Sequence, residues 1–208
     1  MCNCMNSGYS GWSGHVTPCG NQCFSLGPFR ATSTVCPPRN TGSIIPFSSG
    51  IVPAVLVTLA TGLVGTVSAV GFGTSVPGIT LVGNTLNLPL VNGTTEAFTV
   101  PRTGNITAIS ATFTETLGVT VVGNATIRAQ VYRAPAGSNT FTATGAAVNL
   151  TPAVTGVVSV GTVYQGTATA NVPVSAGDRL VMVFSVSGTG ITAITTLTGA
   201  ASAGITIS

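Results

Sequence analysis

The chain has 208 residues, of which 44% are apolar and only 4% are charged, with a formal net charge of +3. Ordinary soluble domains contain roughly 25% charged residues, so Thr, Ser, Asn and Gly must supply the polarity of this surface. The six arginines are scattered singly and lysine is absent, which excludes the clustered positive charge that nucleic-acid binding needs. A nearly uncharged surface lacks the repulsion that keeps proteins monomeric, so the composition favours self-association.

We predict that residues 1–43 form a cysteine-rich N-terminal arm, because all five cysteines lie within them. Five is an odd number, so full oxidation would force at least one cysteine to pair outside its own chain. The arm therefore has the chemistry of a connector between copies. Its candidates for intermolecular disulfides or docking are Cys2, Cys4, Cys19, Cys23 and Cys36.

Three interpretations of this arm stay open at the level of sequence. Thiolates and an imidazole (Cys2, Cys4, His15, Cys19 and Cys23) are ligands that zinc prefers, but their spacing is not that of a standard zinc finger. A second interpretation is a disordered tail. The third is docking, in which a strand of the arm is added to the sheet edge of a neighbouring copy. Aromatic residues of the kind that anchor interfaces favour docking; they are Tyr9, Trp12, Phe24 and Phe29.

The uncharged stretch Ile44–Phe72 approaches the roughly 20 residues of a membrane-spanning helix. Pro46, Pro53, four glycines and many Val, Ile and Thr residues favour buried strands over that helix. We therefore predict strands and no membrane insertion. Residues 1–24 contain neither Lys nor Arg and no apolar run, so we expect no Sec-type signal peptide.

The remainder of the chain is typical of strands separated by turns. In Asn124–Arg133, Ile127, Ala129 and Val131 alternate with Arg128, Gln130 and Tyr132, which predicts one buried and one solvated face. In Arg179–Val186 both faces are apolar, so we expect that strand to be covered twice, by a second sheet and a loop or by another subunit. The candidates for a trimer interface or core are Leu180, Val181, Met182, Val183 and Phe184. Turn signals recur at the spacing of an all-β sandwich, and we predict eight to eleven strands over residues 44–208.

Catalytic chemistry is poorly supported. The only histidine lies in the arm, and the three carboxylates Glu96, Glu115 and Asp178 are too few and too separated in sequence to suggest a pair. A jelly-roll metalloenzyme would need several histidines on adjacent strands. Asp178 is better explained as the cap of a tight turn that Gly177 makes possible. We expect no enzymatic activity, no cofactor and no metal site.

Several blocks of residues 44–208, in the same order, resemble the C-terminal domain of Bacillus exosporium glycoproteins of the BclA and BclB type, and are most similar to the BclB kind. The resemblance implies a trimeric jelly-roll head, like that of tumour necrosis factor, on the spore surface. The blocks are "IIPFSSG" (44–50), "GLVGTVSAVGFG" (62–73), "ATIRAQVYRAPAGSNTFT" (125–142), "NVPVSAGDRLVMVFSVS" (171–187) and "GAASAGITIS" (199–208).

The first 43 residues depart from that family, because they contain no Gly-X-Y period of a collagen-like stalk. A cysteine-bearing arm before a jelly-roll head is similar in plan to the subunits of Bacillus endospore appendages. This second resemblance implies a fibre subunit whose arms connect neighbouring copies. The resemblance to spore proteins also implies synthesis in the mother cell and exposure to an oxidising environment only after that cell lyses, which the compartment rule for disulfides allows.

Two functions follow as hypotheses. In the first, the protein is a structural subunit whose heads trimerise and whose arms join trimers into a filament or an exosporium layer, with another anchor protein at the spore surface as an additional partner. In the second, the head is an adhesive or carbohydrate-binding tip and the arm is its anchor. Lectin-like jelly rolls usually carry exposed aromatic residues and Asp/Asn clusters near loops, so the paucity of both favours the first hypothesis.

Overall fold

The computed structural model describes residues 42–87 and 96–208, and every regular element within these ranges is a β-strand. The described strands number thirteen, more than the eight to eleven predicted, because short strands of two to five residues (β4, β5, β6 and β10) accompany the long ones. The strands are β1 (Ser43–Ser48), β2 (Ala54–Thr58), β3 (Val64–Val70), β4 (Ser75–Ile79), β5 (Thr85–Asn87), β6 (Phe98–Thr99), β7 (Gly104–Glu115), β8 (Val119–Ala134), β9 (Thr140–Asn149), β10 (Val154–Val158), β11 (Val163–Val174), β12 (Arg179–Thr189) and β13 (Thr195–Ile207).

The strand pairing is that of a jelly roll. Sheet A has the order β11–β7–β13, with β1 and β2 lying end to end along the other side of β13. Sheet B has the order β3–β12–β8–β9, with the short strands at its margins. The main pairs are nested, since β2 joins β13, β3 joins β12, β7 joins β11 and β8 joins β9, all antiparallel. The predicted all-β jelly-roll sandwich is confirmed by this order.

The apolar stretch Ile44–Phe72 forms β1, β2 and β3, so the prediction of strands is confirmed. Pro46 lies in β1, which has a sheet neighbour on only one side over most of its length, and an edge strand is where a residue without a backbone donor is tolerated. Among the described residues, no helix is long and apolar enough to cross a membrane.

The main core lies between the two sheets. Its largest side chains include Phe47 from β1, Phe113 from β7 and Phe184 from β12, each at most 2% exposed. The alternation predicted in β8 is confirmed for Ile127, whose side chain is buried in this core, and for Arg128, which is exposed. Burial of large apolar side chains at about 25 cal/mol per Å² is the dominant stabilising term of such a sandwich.

A second apolar cluster lies on the outer face of sheet B. It contains Val181 and Val183 from β12, packed with Ile79 of β4 and Leu86 of β5. The β4–β5 stretch thus covers sheet B from outside. The predicted solvated face of β8 is wrong at Tyr132, which is 3% exposed because it joins this cluster.

The sandwich has two different ends. The base holds the start of β1, the end of β13, and the β8–β9 and β11–β12 turns. Contacts join these parts: Asn105 and Ser208 exchange backbone hydrogen bonds of 2.8 and 2.9 Å, and Arg133 forms an ion pair of 3.7 Å with Asp178. The tip, at the other end, is made of the four turns 59–63, 116–118, 159–162 and 190–194.

Candidate assembly surface

Both apolar faces of strand β12 are buried within one chain. Leu180, Met182 and Phe184 point into the main core, while Val181 and Val183 point into the second cluster. All five side chains are at most 1% exposed. Since the structure places them inside the chain, a second subunit has to contact other residues.

The surface that offers such a contact is the outer face of sheet A, which we call face A. Its outward residues form rows across β11, β7 and β13, such as Gln165–Thr112–Ser202 and Thr167–Ser110–Gly204. The outward side chains in these rows are all uncharged, and most of them are small. They are Ala108, Ser110, Thr112, Thr114, Val163, Gln165, Thr167, Thr169, Ala200, Ser202, Gly204 and Thr206.

Face A is open to solvent in the single chain. Ser110, Thr167 and Ser202 are exposed, and the Ser110 and Thr167 hydroxyl oxygens lie 2.9 Å apart in a hydrogen bond across β7 and β11. Paired hydroxyls cost less to desolvate than ions, which require partners when they are buried. Small side chains also let a second backbone approach closely. The arrangement therefore suits contact with another uncharged surface.

A groove of about 360 Å³ lies at the β11 side of face A. Its walls are polar, and Thr151 exchanges backbone hydrogen bonds of 2.9 Å with Gln165 at its rim. Hydroxyl, amide and backbone groups of this kind recognise neutral hydroxylated molecules. The lining residues are Ser110, Thr112, Thr151, Gln165, Gly166 and Thr167.

The three carboxylates have separate local roles. Asp178 Oδ2 accepts a 2.9 Å hydrogen bond from the Ser175 backbone, and Gly177 has a φ of 88°, so the predicted turn cap is confirmed. Glu115 Oε1 accepts a 2.9 Å bond from the Thr198 backbone. Glu96 Oε1 accepts one of 3.3 Å from the Thr74 hydroxyl.

Burial raises the pKa of both Glu96 and Glu115 above the ordinary value of 4.5, and their hydrogen bonds oppose the rise only in part. In each, Oε2 has no hydrogen-bond partner within the part of the chain that the structure describes. An unpaired buried oxygen is more stable protonated than charged, because desolvation penalises the anion. Burial, rather than a charge interaction between the two carboxyls, is the cause of the raised pKa in each.

No group of three His, Cys, Asp or Glu side chains is placed to share a metal ion within residues 42–87 and 96–208. The predicted arm candidates all lie outside the described residues. They are the cysteines Cys2, Cys4, Cys19, Cys23 and Cys36, with His15, and the aromatic anchors Tyr9, Trp12, Phe24 and Phe29.

Sequence reasoning missed face A, although β13 carries a signal for it. Along Gly199–Ile207, buried Ala201 and Ile205 alternate with outward Ala200 and Ser202, which is the period of two expected for a strand covered on one side. Small and hydroxylated residues on the outward side look like ordinary solvated positions. Only the alignment of three such strands shows that they form one continuous face.

No family model matches the chain, but a comparison with known proteins finds a relative that is similar in sequence. Collagen-like protein 1 of Acanthamoeba polyphaga mimivirus is 34% identical over 176 residues, covering 80% of this chain and 19% of that protein. The chain thus spans about a fifth of the length of this curated relative. The predicted likeness to collagen-bearing proteins is confirmed in this coarse form, while the likeness to Bacillus spore proteins stays a prediction.

Among solved structures, Eiger TNF from S. frugiperda aligns with a TM-score of 0.35 and 10% identity, covering 81% of this chain and 94% of that chain. A TM-score of this size does not establish a common fold. The jelly-roll assignment depends on the strand order of the chain itself.

Proposed function

We propose that this protein is a structural, self-assembling subunit of a spore-surface filament or exosporium layer. Its heads associate as homotrimers through face A, and its arms dock on or form disulfides with neighbouring subunits. The observation that carries the proposal is that face A is broad, uncharged and open, while the apolar part of the outer face of sheet B, around Val181 and Val183, is covered by the chain itself. The location on spores and an additional anchor protein as partner follow from the resemblance to exosporium glycoproteins.

Because β12 is already buried within its own chain, we assign the proposed trimer contact to face A. A trimer through Val181 and Val183 would require displacing the β4–β5 cover from the second cluster. Contact through Ser110, Thr167 and Ser202 requires no such rearrangement, because these residues are already exposed. The low charge of the whole chain supports self-association in the same way.

The collagen-like relative supports a structural role. Collagen joins three chains in one triple helix, so a domain that is similar to part of a collagen-like protein fits a threefold assembly. A trimer is closed, however, and cannot grow by the contact that closes it. Growth into a filament or layer then needs a second contact, which we assign to the arm with its five cysteines.

Electron microscopy of the purified protein tests this proposal. The full-length chain should form regular polymers, whereas a shortened chain that begins at Ser43, where β1 starts, should form only compact trimers. Both are to be imaged with and without reductant. Polymers that survive reductant would show that docking precedes disulfide formation. Compact trimers from both chains would contradict polymerisation through the arm.

The groove on face A favours a second candidate function, adhesion through a carbohydrate. Gln165, Thr167 and Thr151 line it with amide and hydroxyl groups, which suit a neutral sugar. Titration of the full-length protein with oligosaccharides, compared with Gln165→Ala, separates the candidates. Saturable binding that Gln165→Ala weakens tenfold or more would favour adhesion, and the absence of binding would leave assembly as the function.

A further inference from the structure

The tip of the head carries a cluster of exposed aliphatic side chains. Exposure is 45% for Leu59, 65% for Leu63, 59% for Leu117, 66% for Val160 and 67% for Ile194. These residues come from all four turns of the tip. Single exposed aliphatic residues are common, but several at the same end of a domain favour an interaction site.

Backbone hydrogen bonds hold turn 159–162 beside turn 116–118, turn 116–118 against β13, and turn 59–63 against the end of β12 that leads into turn 190–194. Gly161 donates to the Glu115 carbonyl at 2.8 Å, Thr116 donates to the Thr198 carbonyl at 2.8 Å, and Gly188 donates to the Gly62 carbonyl at 2.8 Å. The aliphatic side chains therefore lie on turns that are fixed to the sandwich at one end rather than on independent loops.

The tip is also free of exposed charge. The four turns contain no Asp, Glu, Lys or Arg, and the adjacent Glu115 is 1% exposed. The base differs, since Arg102, Arg133, Arg179 and Asp178 all lie there. Such a tip suits a partner that is apolar and carries few charges.

Residues 1–41 of the chain match that chemistry. They contain four large aromatic residues and no Asp or Glu, and their only arginines are Arg30 and Arg39. The described part of the chain begins at Gly42, at the base, which is the end opposite the tip. Extended at about 3.3–3.6 Å per residue, a segment of this length spans more than 130 Å, whereas a 13-residue strand such as β13 spans only about 45 Å. The segment is long enough to reach the tip of another head.

We propose that the tip is the docking site for residues 1–41 of a second copy of this chain, with aromatic side chains of that segment packed on Leu63, Leu117, Val160 and Ile194. The inference rests on the proposed function and names the surface of the head that receives the arm. In this arrangement the arm leaves each head at its base and binds another head at its tip, so the contact is head-to-tail. A head-to-tail contact that does not close into a ring produces a filament, while face A remains free for the lateral trimer.

Trp12 supplies a direct readout, because it is the only tryptophan of the 208 residues. In the full-length protein, its fluorescence should shift to shorter wavelength as the concentration rises, since docking moves the indole from water to an apolar surface. The triple variant Leu63→Asn, Val160→Asn and Ile194→Asn changes only exposed turn positions. It should abolish the shift and the polymers, and leave compact trimers.

The matched control is Ile51→Asn with Val82→Asn, which replaces aliphatic residues that are 97% and 75% exposed away from the tip. The control should polymerise like the unaltered protein. Polymerisation and a Trp12 shift in the triple variant would overturn the inference while leaving the proposed function intact. A Trp12 shift that is independent of concentration would also overturn it, because the segment would then bind within its own chain. Polymers from the chain that begins at Ser43 would instead refute the proposed function.

Discussion

The outer faces of the two sheets differ in a way that bears on function. On sheet B, Val181 and Val183 are covered by the β4–β5 stretch of the same chain, and a second apolar cluster results. On sheet A, the outward positions are small and uncharged, and Ser110 and Ser202 are exposed. The comparison teaches that this chain buries the apolar part of one outer face by itself and leaves the other face available to a neighbour.

The largest expected effect comes from placing the same charge on each outer face. Val183→Asp buries a carboxylate in an apolar cluster and should lower the free energy of unfolding by about 4 kcal/mol or more, or prevent folding. Ser202→Asp changes an exposed position and should alter the free energy of unfolding of the dissociated chain by no more than about 0.5 kcal/mol. Urea titration of the two variants at low protein concentration measures both values.

Ser202→Asp should nevertheless prevent association. In a trimer through face A, three added carboxylates would lie in an uncharged interface, and a buried unpaired charge is strongly destabilising. In the shortened chain that begins at Ser43, light scattering after size-exclusion chromatography should show a monomer, with Val160→Asp in the same shortened chain as a control that remains trimeric. A Ser202→Asp protein that remains trimeric would contradict the assignment of the trimer contact to face A.

A smaller effect on the free energy of unfolding is expected from truncating a side chain of the β4–β5 stretch that covers sheet B. Leu86 is 1% exposed in the second cluster, and Leu86→Ala should lower the free energy of unfolding by roughly 2–3 kcal/mol through a partly relaxed cavity. Binding of a hydrophobic dye to the folded protein should rise, because the cluster becomes accessible. Unchanged stability together with unchanged dye binding would argue that β5 does not protect this face.

The smallest effect concerns the inner side of sheet A, where burial raises the pKa of Glu115. Below the ordinary value of 4.5 this carboxyl is protonated in both the folded and the unfolded chain. As the pH rises through the folded pKa, the unfolded chain ionises more readily, so stability is lost. Glu115→Gln should therefore reduce the loss of unfolding free energy between pH 4 and pH 8.

Chemical denaturation at several pH values checks this dependence, and Glu96→Gln provides a second carboxyl whose pKa is raised by burial. Each single variant should remove part of the pH dependence and the double variant should remove most of it. A pH dependence that is unchanged in the double variant would show that burial does not raise the pKa of either carboxyl.

Local features were predictable where the signal is contained in a short stretch. The strands of Ile44–Phe72 follow from proline, glycine and β-branched residues, and the turn at Asp178 follows from Gly177. Tyr132 was not predictable in the same way, because its burial depends on a cover from β4 and β5 that is some fifty residues distant in sequence. A period of two identifies the two sides of a strand but not what lies against each side.

By itself, the sequence determined the all-β class, the low charge, the confinement of all cysteines to residues 1–43 and the doubly apolar character of β12. Only the tertiary structure decided that β12 is completed within one chain, that face A is left open and that aliphatic turns converge at the tip. The physical reason is that composition and periodicity are properties of neighbours along the chain. Faces and ends are created by pairing between distant strands, such as β13 with β7, and each strand alone carries only a fraction of them.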